Sequence, residues 1–253
     1  MSNHINIKTN LLPPPWQELS YAEIMTRPDG QLINGGRASR VYRFIDGKEV
    51  CFLKRYTYQK IHWQHCWQKS QVRREFENLQ KIKQADLDCN TIEILAYGEQ
   101  RRCRILIDAF LLSREVTDNE RLSLFLGLNH DHPQRQLVVE KVIQLGQRII
   151  ESGLAITDLF FRNLVVVPKD ANLYLLDVQY CARNRYRAKI KSYPQFWSNI
   201  LLFFTPDEQN LAAKMLVPHL PYDLKELDTR AQPFIRKETK RKIAELAFIK
   251  NNC

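Results

Sequence analysis

A change in residue periodicity partway along the chain constrains the fold more strongly than any other feature of the sequence. Residues 31–112 contain short β-prone runs separated by turn residues, whereas from residue 114 onward apolar residues mostly recur at helical spacing. The clearest hairpin signal is Asp46-Gly47, which lies between two such β-prone runs. The clearest helix is predicted over 136–152, with Gly153 closing it. The sequence therefore predicts an α+β fold with a β-rich front and a mainly helical back.

This pattern divides the chain into three predicted segments. Residues 1–30 form an N-terminal extension, 31–112 an N-terminal lobe with a β-sheet and one main helix, and 113–253 a mainly helical C-terminal lobe. We predict the main helix of the N-terminal lobe over 70–84, and we expect Gly98 to separate two strands of that lobe.

The charge of the chain narrows the classes of partner. It has 38 Lys and Arg against 28 Asp and Glu, a formal net charge of +10, which favours anionic partners. No recognised nucleic-acid-binding motif accompanies this charge, so we expect no nucleic acid among the partners. The longest apolar run is far shorter than the roughly 20 residues that span a bilayer, and the polar start of the chain lacks the features of a signal peptide. We therefore expect a cytoplasmic location.

Two carboxylates and a carboxamide lie at the ends of short apolar runs in the second half of the chain. Asp158 and Asn163 form the pattern D-L-x-x-x-N, and Asp177 follows an apolar run at 175–176. The pattern matches the part of the protein-kinase catalytic loop that holds a base and a metal ligand. In this interpretation Asp158 accepts the substrate proton, while Asn163 and Asp177 coordinate Mg2+. The alternative is that these residues only cap turns.

The first half of the chain supplies groups that bind a nucleoside triphosphate in kinases. Lys54 ends a β-prone run, and Glu75 lies on the following predicted helix, where it could form an ion pair with Lys54. Glu77 lies on a different face of that helix, so we prefer Glu75. Gly35 and Gly36 precede a strand and would let backbone amides approach the phosphates, although they could simply form a tight turn. ATP and Mg2+ are the expected cofactors, bound between the lobes.

In their order along the chain, these motifs resemble those of the lipopolysaccharide kinase (Kdo/WaaP-type) family. The motifs are Leu53-Lys54-Arg55-Tyr56, Arg74-Glu75-Phe76-Glu77-Asn78-Leu79, Ala96-Tyr97-Gly98-Glu99, Asp158-Leu159 with Asn163, and Leu175-Leu176-Asp177. The resemblance covers about residues 32–183. It implies a protein-kinase-like two-lobed fold and ATP-dependent phosphorylation of a sugar hydroxyl on a lipid-linked saccharide. It also implies a peripheral location at the inner face of the bacterial inner membrane.

The sequence departs from the kinase pattern at three places. Ile156-Thr157 replaces the His-Arg that normally precedes the catalytic Asp, and Val178-Gln179 replaces the Phe-Gly that normally follows the metal-binding Asp. Phe160 occupies the position where many kinases have a lysine near the transferred phosphate, and Arg162 could supply that cation instead. The alternative function is therefore a catalytically weak or inactive pseudokinase that binds nucleotide or a protein partner.

A run of alternating cations follows the predicted metal ligand. It consists of Arg183, Arg185, Arg187, Lys189 and Lys191. On an extended segment these side chains would share one side, where they could bind an anionic acceptor or lipid head groups. The alternative is a solvated charge run. With the basic tail over 236–250, this run predicts peripheral contact with an anionic membrane surface.

Overall fold

The structure is a computed structural model, and it describes residues 3–9, 12–36, 39–58 and 66–252. The chain divides into two compact units. The first comprises Met1–Gln80 and Ile92–Thr117, and the second comprises Lys81–Thr91 and Asp118–Cys253.

The described part of the chain contains strands and helices in both units. The strands, in chain order, are β1 (Asn3–Thr9), β2 (Gln31–Gly35), β3 (Ser39–Asp46), β4 (Glu49–Thr57), β5 (Asn90–Thr91), β6 (Ile94–Arg102), β7 (Ile105–Arg114), β8 (Glu120–Arg121), β9 (Leu154–Thr157), β10 (Leu164–Val167), β11 (Asn172–Leu175) and β12 (Tyr180–Arg183). The α-helices, in chain order, are α1 (Pro14–Gln17), α2 (Tyr21–Thr26), α3 (Gln71–Ala85), α4 (Leu122–Leu128), α5 (Arg135–Ser152), α6 (Arg185–Arg187), α7 (Tyr193–Phe203), α8 (Pro206–Leu216) and α9 (Leu224–Asn252).

The first unit is built on a six-stranded antiparallel sheet in the order β1-β6-β7-β4-β3-β2. The predicted hairpin joins β3 to β4, with Gly47 and Lys48 in its turn and Asp46 paired with Glu49. Gly47 has a φ of +65°, a conformation that L residues adopt at a cost. The turn therefore begins one residue later than the sequence signal indicates.

Residues 1–30, which the sequence analysis describes as an N-terminal extension, contribute β1 and two short helices to this unit. Trp16 of α1 is fully buried in the same apolar cluster as Ile24 of α2 and Leu53 of β4. The Trp16 indole ring packs edge-on against Phe44 at 5.1 Å between centroids. These helices therefore complete the apolar core on one face of the sheet.

Gly98 lies inside β6 rather than between two strands, so that expectation was wrong. A Cβ at position 98 would lie 2.5 Å from the buried ring of Phe110 on β7, so the absence of a side chain lets the two strands pack. The turn between β6 and β7 is formed instead by Cys103 and Arg104, whose φ angles are +50° and +69°.

The second unit contains the longer helices and two small sheets. The order β5-β11-β10-β8 forms one small sheet, and β12 pairs with β9 in another. Helix α5 ends at Gly153, which has the left-handed φ of +63° that a C-cap glycine adopts. Helix α8 begins with a capping box. The Thr205 side chain accepts from the Glu208 backbone N–H, and the Glu208 carboxylate accepts from the Thr205 backbone N–H. Within the described part of the chain, no helix combines the length and apolar character needed to cross a membrane.

Candidate active site

Lys54 and Glu75 form an ion pair in the first unit. The Lys54 Nζ lies 2.9 Å from Glu75 Oε2, and the two side chains are 19% and 5% exposed. Lys54 lies on β4, and Glu75 lies in the second turn of α3. The structure therefore brings together Lys54 and Glu75, two of the four residues predicted to bind nucleotide in this half of the chain.

The alternation of β4 explains why Lys54 faces α3. Leu53 and Cys51 point into the apolar cluster beneath α1 and α2, so Lys54 points to the opposite face of the sheet. The ring of Tyr56, two residues further along, lies 5.4 Å from Lys54 Nζ on that same face. On α3, Glu77 instead contacts Lys69 and Arg73, as expected for a residue on another face of the helix.

Gly35 and Gly36 lie at the end of β2, where the chain turns toward β3. The Gly36 N–H donates to the Ser39 carbonyl at 2.8 Å. Added Cβ atoms would make only ordinary contacts, the nearest atoms lying 3.8 Å away at Gly35 and 3.7 Å away at Gly36. The fold itself therefore does not require glycine at either position, and their role toward phosphates stays a prediction.

Two strand pairs of the second unit bring Asp158, Asn163 and Asp177 together. Strands β9 and β12 pair in antiparallel orientation, and Asp158 directly follows β9 while Asp177 lies shortly before β12. Strands β10 and β11 also pair in antiparallel orientation, and Asn163 directly precedes β10 while Leu176 directly follows β11. The Leu176 N–H donates to the Asn163 carbonyl at 2.9 Å, which continues that ladder to the residue before Asp177. All three polar side chains are partly exposed.

The loop from Asp158 to Asn163 has a tight and specific geometry. Asp158 has a φ of +61°, a left-handed conformation that costs a non-glycine residue about 1–3 kcal/mol and occurs often at functional sites. Its carbonyl accepts from the Phe160 N–H at 2.8 Å and from Asn163 Nδ2 at 2.7 Å. Because Nδ2 is used as a donor, Asn163 Oδ1 is the atom of this amide suited to a cation.

Asp177 is oriented by its own neighbour. Gln179 Nε2 donates to Asp177 Oδ1 at 2.9 Å. Val178 between them is fully buried, so the segment after Asp177 is anchored in the core. Within the described residues, no three His, Cys, Asp or Glu side chains cluster as metal ligands. One carboxylate and one amide oxygen nevertheless suit Mg2+, which usually keeps waters and phosphate oxygens as its other ligands.

Three buried polar side chains bind the backbone of the segment from Ile156 to Phe161. One of them directly precedes α7, and the other two lie on α7. Ser192 Oγ accepts from the Ile156 N–H at 2.9 Å and donates to the Ile156 carbonyl at 2.8 Å. Gln195 Oε1 accepts from the Leu159 N–H at 3.2 Å. Asn199 accepts from the Phe161 N–H at 3.0 Å and donates to the Leu159 carbonyl at 3.3 Å.

None of these three residues belongs to the site predicted from the sequence. Their signal is a polar stripe at positions 192, 195 and 199 in a largely apolar helix, since this spacing follows one helical face. All three side chains are at most 5% exposed, and a buried polar group needs a hydrogen-bonding partner. Such a stripe therefore indicates that another segment must satisfy it.

Cys181, whose neighbour across the strand pair is Ile156, is not a nucleophile at neutral pH. Burial raises the pKa of the Cys181 thiol to about 11, so the thiol stays protonated. The polar chemistry around this loop therefore depends on its carboxylates and amide.

Arg162 points away from the role that the sequence analysis gives it. Its guanidinium forms an ion pair with Glu238 of α9 and stacks over the Phe160 ring, 4.0 Å from the centroid. Phe160 itself is fully buried. In this structure Arg162 is therefore engaged by the protein, and anion binding by it stays a prediction.

The alternating cations after Asp177 do not share one side, which corrects the expectation of an extended segment. Arg183 ends β12, and the chain then becomes helical through α6 and a π-helical turn over Ala188–Ser192. Asn184 begins this helix, since its side chain accepts from the Arg187 N–H at 2.9 Å. Residues two apart lie on nearly opposite faces of a helix, so Arg185 and Arg187 diverge. Arg187 instead stacks on the Tyr180 ring at 3.9 Å.

Comparison with known proteins gives structural neighbours only. A scan against protein-family models and a search of curated protein sequences find no match. The structure of WaaP in complex with acyl carrier protein superposes with a TM-score of 0.58 and 16% sequence identity, covering 94% of this chain and 99% of that chain.

Two further solved structures match less well. WbdD, crystallised with a kinase inhibitor, gives a TM-score of 0.48 at 16% identity over 87% of this chain and 49% of that chain. A Toxoplasma gondii specific rhoptry antigen kinase domain gives 0.40 at 15% identity, over 61% and 49%. The match to WaaP spans nearly the whole of both chains and confirms the fold class expected from the motifs. This chain has the protein-kinase-like α+β fold that WaaP has.

Proposed function

We propose that the protein is a Mg2+-dependent phosphotransferase that moves the γ-phosphoryl group of ATP to a sugar hydroxyl of a lipid-linked saccharide. The observation that supports it most is the backbone pairing that sets Asp177 beside the tight loop from Asp158 to Asn163. The fold shared with WaaP supports a kinase-like reaction. The saccharide acceptor rests on the motif resemblance to lipopolysaccharide kinases.

Each polar group has a role in this proposal. Lys54, fixed by Glu75, binds phosphate oxygens of ATP. Asn163 Oδ1 and the Asp177 carboxylate would hold Mg2+, which would neutralise charge on the phosphates. The Asp158 carboxylate accepts the proton of the acceptor hydroxyl while the hydroxyl oxygen bonds to the γ-phosphorus of ATP. The bond between the γ-phosphorus and the oxygen of the β-phosphate breaks, which releases ADP.

The alternative of an inactive pseudokinase draws on Ile156 and on Val178-Gln179. The first of these grounds is weak, because Ser192 bonds both the N–H and the carbonyl of Ile156 although the usual histidine is missing. The second ground also has a compensation, since Gln179 orients the Asp177 carboxylate. We therefore favour the active enzyme.

We also propose that the protein acts at the inner face of the bacterial inner membrane. The net charge of +10 supports attraction to anionic lipids, and a lipid-linked acceptor would be presented at that surface. This location follows from charge and from the motif resemblance.

The test compares Asp177→Ala and Asp158→Ala with the unmodified protein. We measure Mg2+-dependent ATP binding by calorimetry and transfer of labelled phosphate to purified lipid A–core saccharide. Asp177→Ala should abolish transfer and weaken Mg2+-dependent ATP binding. Asp158→Ala should abolish transfer and largely preserve ATP binding. Preparations with and without acyl carrier protein are both assayed, because the WaaP structure contains that protein.

The matched control is Asp170→Ala in the turn of the β10–β11 hairpin. Asp170 is exposed, and its carboxylate contacts Asn172 only within that turn. The control should transfer phosphate like the unmodified protein. Normal transfer by either site variant would contradict the assignments, and ATP binding without transfer in the unmodified protein would favour the pseudokinase.

A further inference from the structure

The ion pair between Arg162 and Glu238 connects the predicted catalytic loop to the long C-terminal helix. Arg162 lies in the turn Phe161–Asn163, directly before the predicted metal ligand. Glu238 lies on α9, 76 positions further along the chain. Their side chains are 18% and 8% exposed, so water screens this pair only weakly.

Aromatic packing surrounds this pair. The Arg162 guanidinium stacks over Phe160, and the ring of Phe234 on α9 packs against Phe160 at 6.5 Å between centroids. Lys237 Nζ lies 5.7 Å from the same ring. The loop and α9 therefore contact through an apolar ring and a buried charge pair side by side.

The turn that holds Arg162 is coupled to the site through backbone and side-chain bonds. Asn163, its direct neighbour, donates to the Asp158 carbonyl. Phe161, its other neighbour, is fixed by Asn199. A displacement of Arg162 therefore shifts Asn163 and, through that amide, Asp158.

We propose that Glu238 is a positioning residue, which holds Arg162 and thereby sets the orientation of Asn163 for phosphate transfer. This proposal rests on the proposed function. It replaces the sequence-based role of Arg162 as a cation for the acceptor, because a guanidinium committed to a buried carboxylate is a structural group. Arg241 lies 3.8 Å from Glu238 but is half exposed, so Arg162 is the buried partner.

The first experiment measures amide hydrogen exchange in the loop over residues 157–164. Glu238→Gln keeps the shape of the side chain and removes its charge, which leaves the buried guanidinium without a counter-charge. Exchange in this loop should rise about tenfold. The matched control is Glu226→Gln, which removes an exposed carboxylate paired with Arg230 on the same helix and should leave loop exchange unchanged. Thermal unfolding checks that each variant folds. If Glu238→Gln does not fold, Glu238→Asp replaces it, because the shorter side chain withdraws the carboxylate from Arg162.

The second experiment is a double-mutant cycle on phosphate transfer with Arg162→Gln and Glu238→Gln. If the two residues act as one unit, each single variant lowers kcat about tenfold, KM for ATP stays within about twofold, and the double variant loses no more than either single variant. If Arg162 binds the acceptor instead, Glu238→Gln transfers normally and Arg162→Gln raises KM for the saccharide.

Two results would overturn the proposal. One is loop exchange in Glu238→Gln equal to that of the Glu226→Gln control, and the other is an additive double variant. Absence of transfer in the unmodified protein would instead count against the proposed function, and the exchange measurement would still decide whether Glu238 positions the loop.

Discussion

Replacement of Asn199 by Leu tests how strongly α7 holds the predicted catalytic loop. Leucine has the same number and branching of side-chain heavy atoms as asparagine and suits an apolar helix, so the main chemical change is the loss of the amide group. That amide accepts from the Phe161 N–H at 3.0 Å and donates to the carbonyls of Leu159 at 3.3 Å and Gln195 at 2.7 Å. The site is fully buried, so water cannot replace the lost partners.

The magnitude follows from the groups left behind. An unsatisfied buried N–H costs about 1–3 kcal/mol, and a lost neutral hydrogen bond contributes about 0.5–1.5 kcal/mol. The Gln195 carbonyl keeps the Ser198 hydroxyl as a donor at 2.6 Å, so its loss is small. We therefore expect Asn199→Leu to lower the free energy of unfolding by about 2–4 kcal/mol.

Urea unfolding, followed by circular dichroism, measures this difference. The control is Asn210→Leu on the exposed side of α8, which should change stability by less than about 0.5 kcal/mol. Loop exchange over 157–164 should rise in Asn199→Leu and stay unchanged in the control. A loss of stability below about 1 kcal/mol, with unchanged loop exchange, would refute the argument that these bonds position the loop.

Three further predictions follow from other parts of the structure. Glu75→Gln should weaken ATP binding, measured by calorimetry, because its lysine partner loses the carboxylate that fixes it; equal affinity would contradict the role of the pair. Gly98→Ala should cost about 1–3 kcal/mol in urea unfolding, because the new methyl group would clash with the buried ring of Phe110. Burial tends to raise the pKa of Glu208, but hydrogen bonds from Arg135 and the Thr205 backbone outweigh burial and lower that pKa. The Glu208 carboxylate therefore stabilises the fold above its unfolded pKa of about 4.3. This stabilisation is lost as the pH falls through the lower folded pKa. Glu208→Gln should therefore be less stable at pH 7, with a difference that shrinks toward pH 3; a constant difference would contradict the assignment.

Local signals predicted the parts of the fold that depend on local chemistry. The hairpin around Gly47 and the helix closed by Gly153 each need only a few neighbouring residues, and the structure contains both. Sequence order also indicated that Lys54 and Glu75 would meet, because a strand residue and an early residue of the next helix often pack together.

Long-range packing explains what the sequence did not reveal. Gly98 was interpreted as a break because its actual constraint, the ring of Phe110, lies on a different strand. The alternating cations after Asp177 predict an extended segment, but the side chain of Asn184 caps a helix there instead. Glu238 and Asn199, which contact the loop from α9 and α7, are 76 and 38 residues away from Arg162 and Phe161, so the sequence does not indicate which segment they contact.

The polar stripe on α7 also influences how the second unit assembles. Outside the native packing, an apolar helix with Gln195 and Asn199 on one side cannot enter a core without leaving both amides dehydrated and unmatched. In the native packing the 156–161 segment supplies complementary backbone groups. Non-native collapse of this helix is therefore disfavoured, and the helix and the loop should become ordered in the same cooperative step.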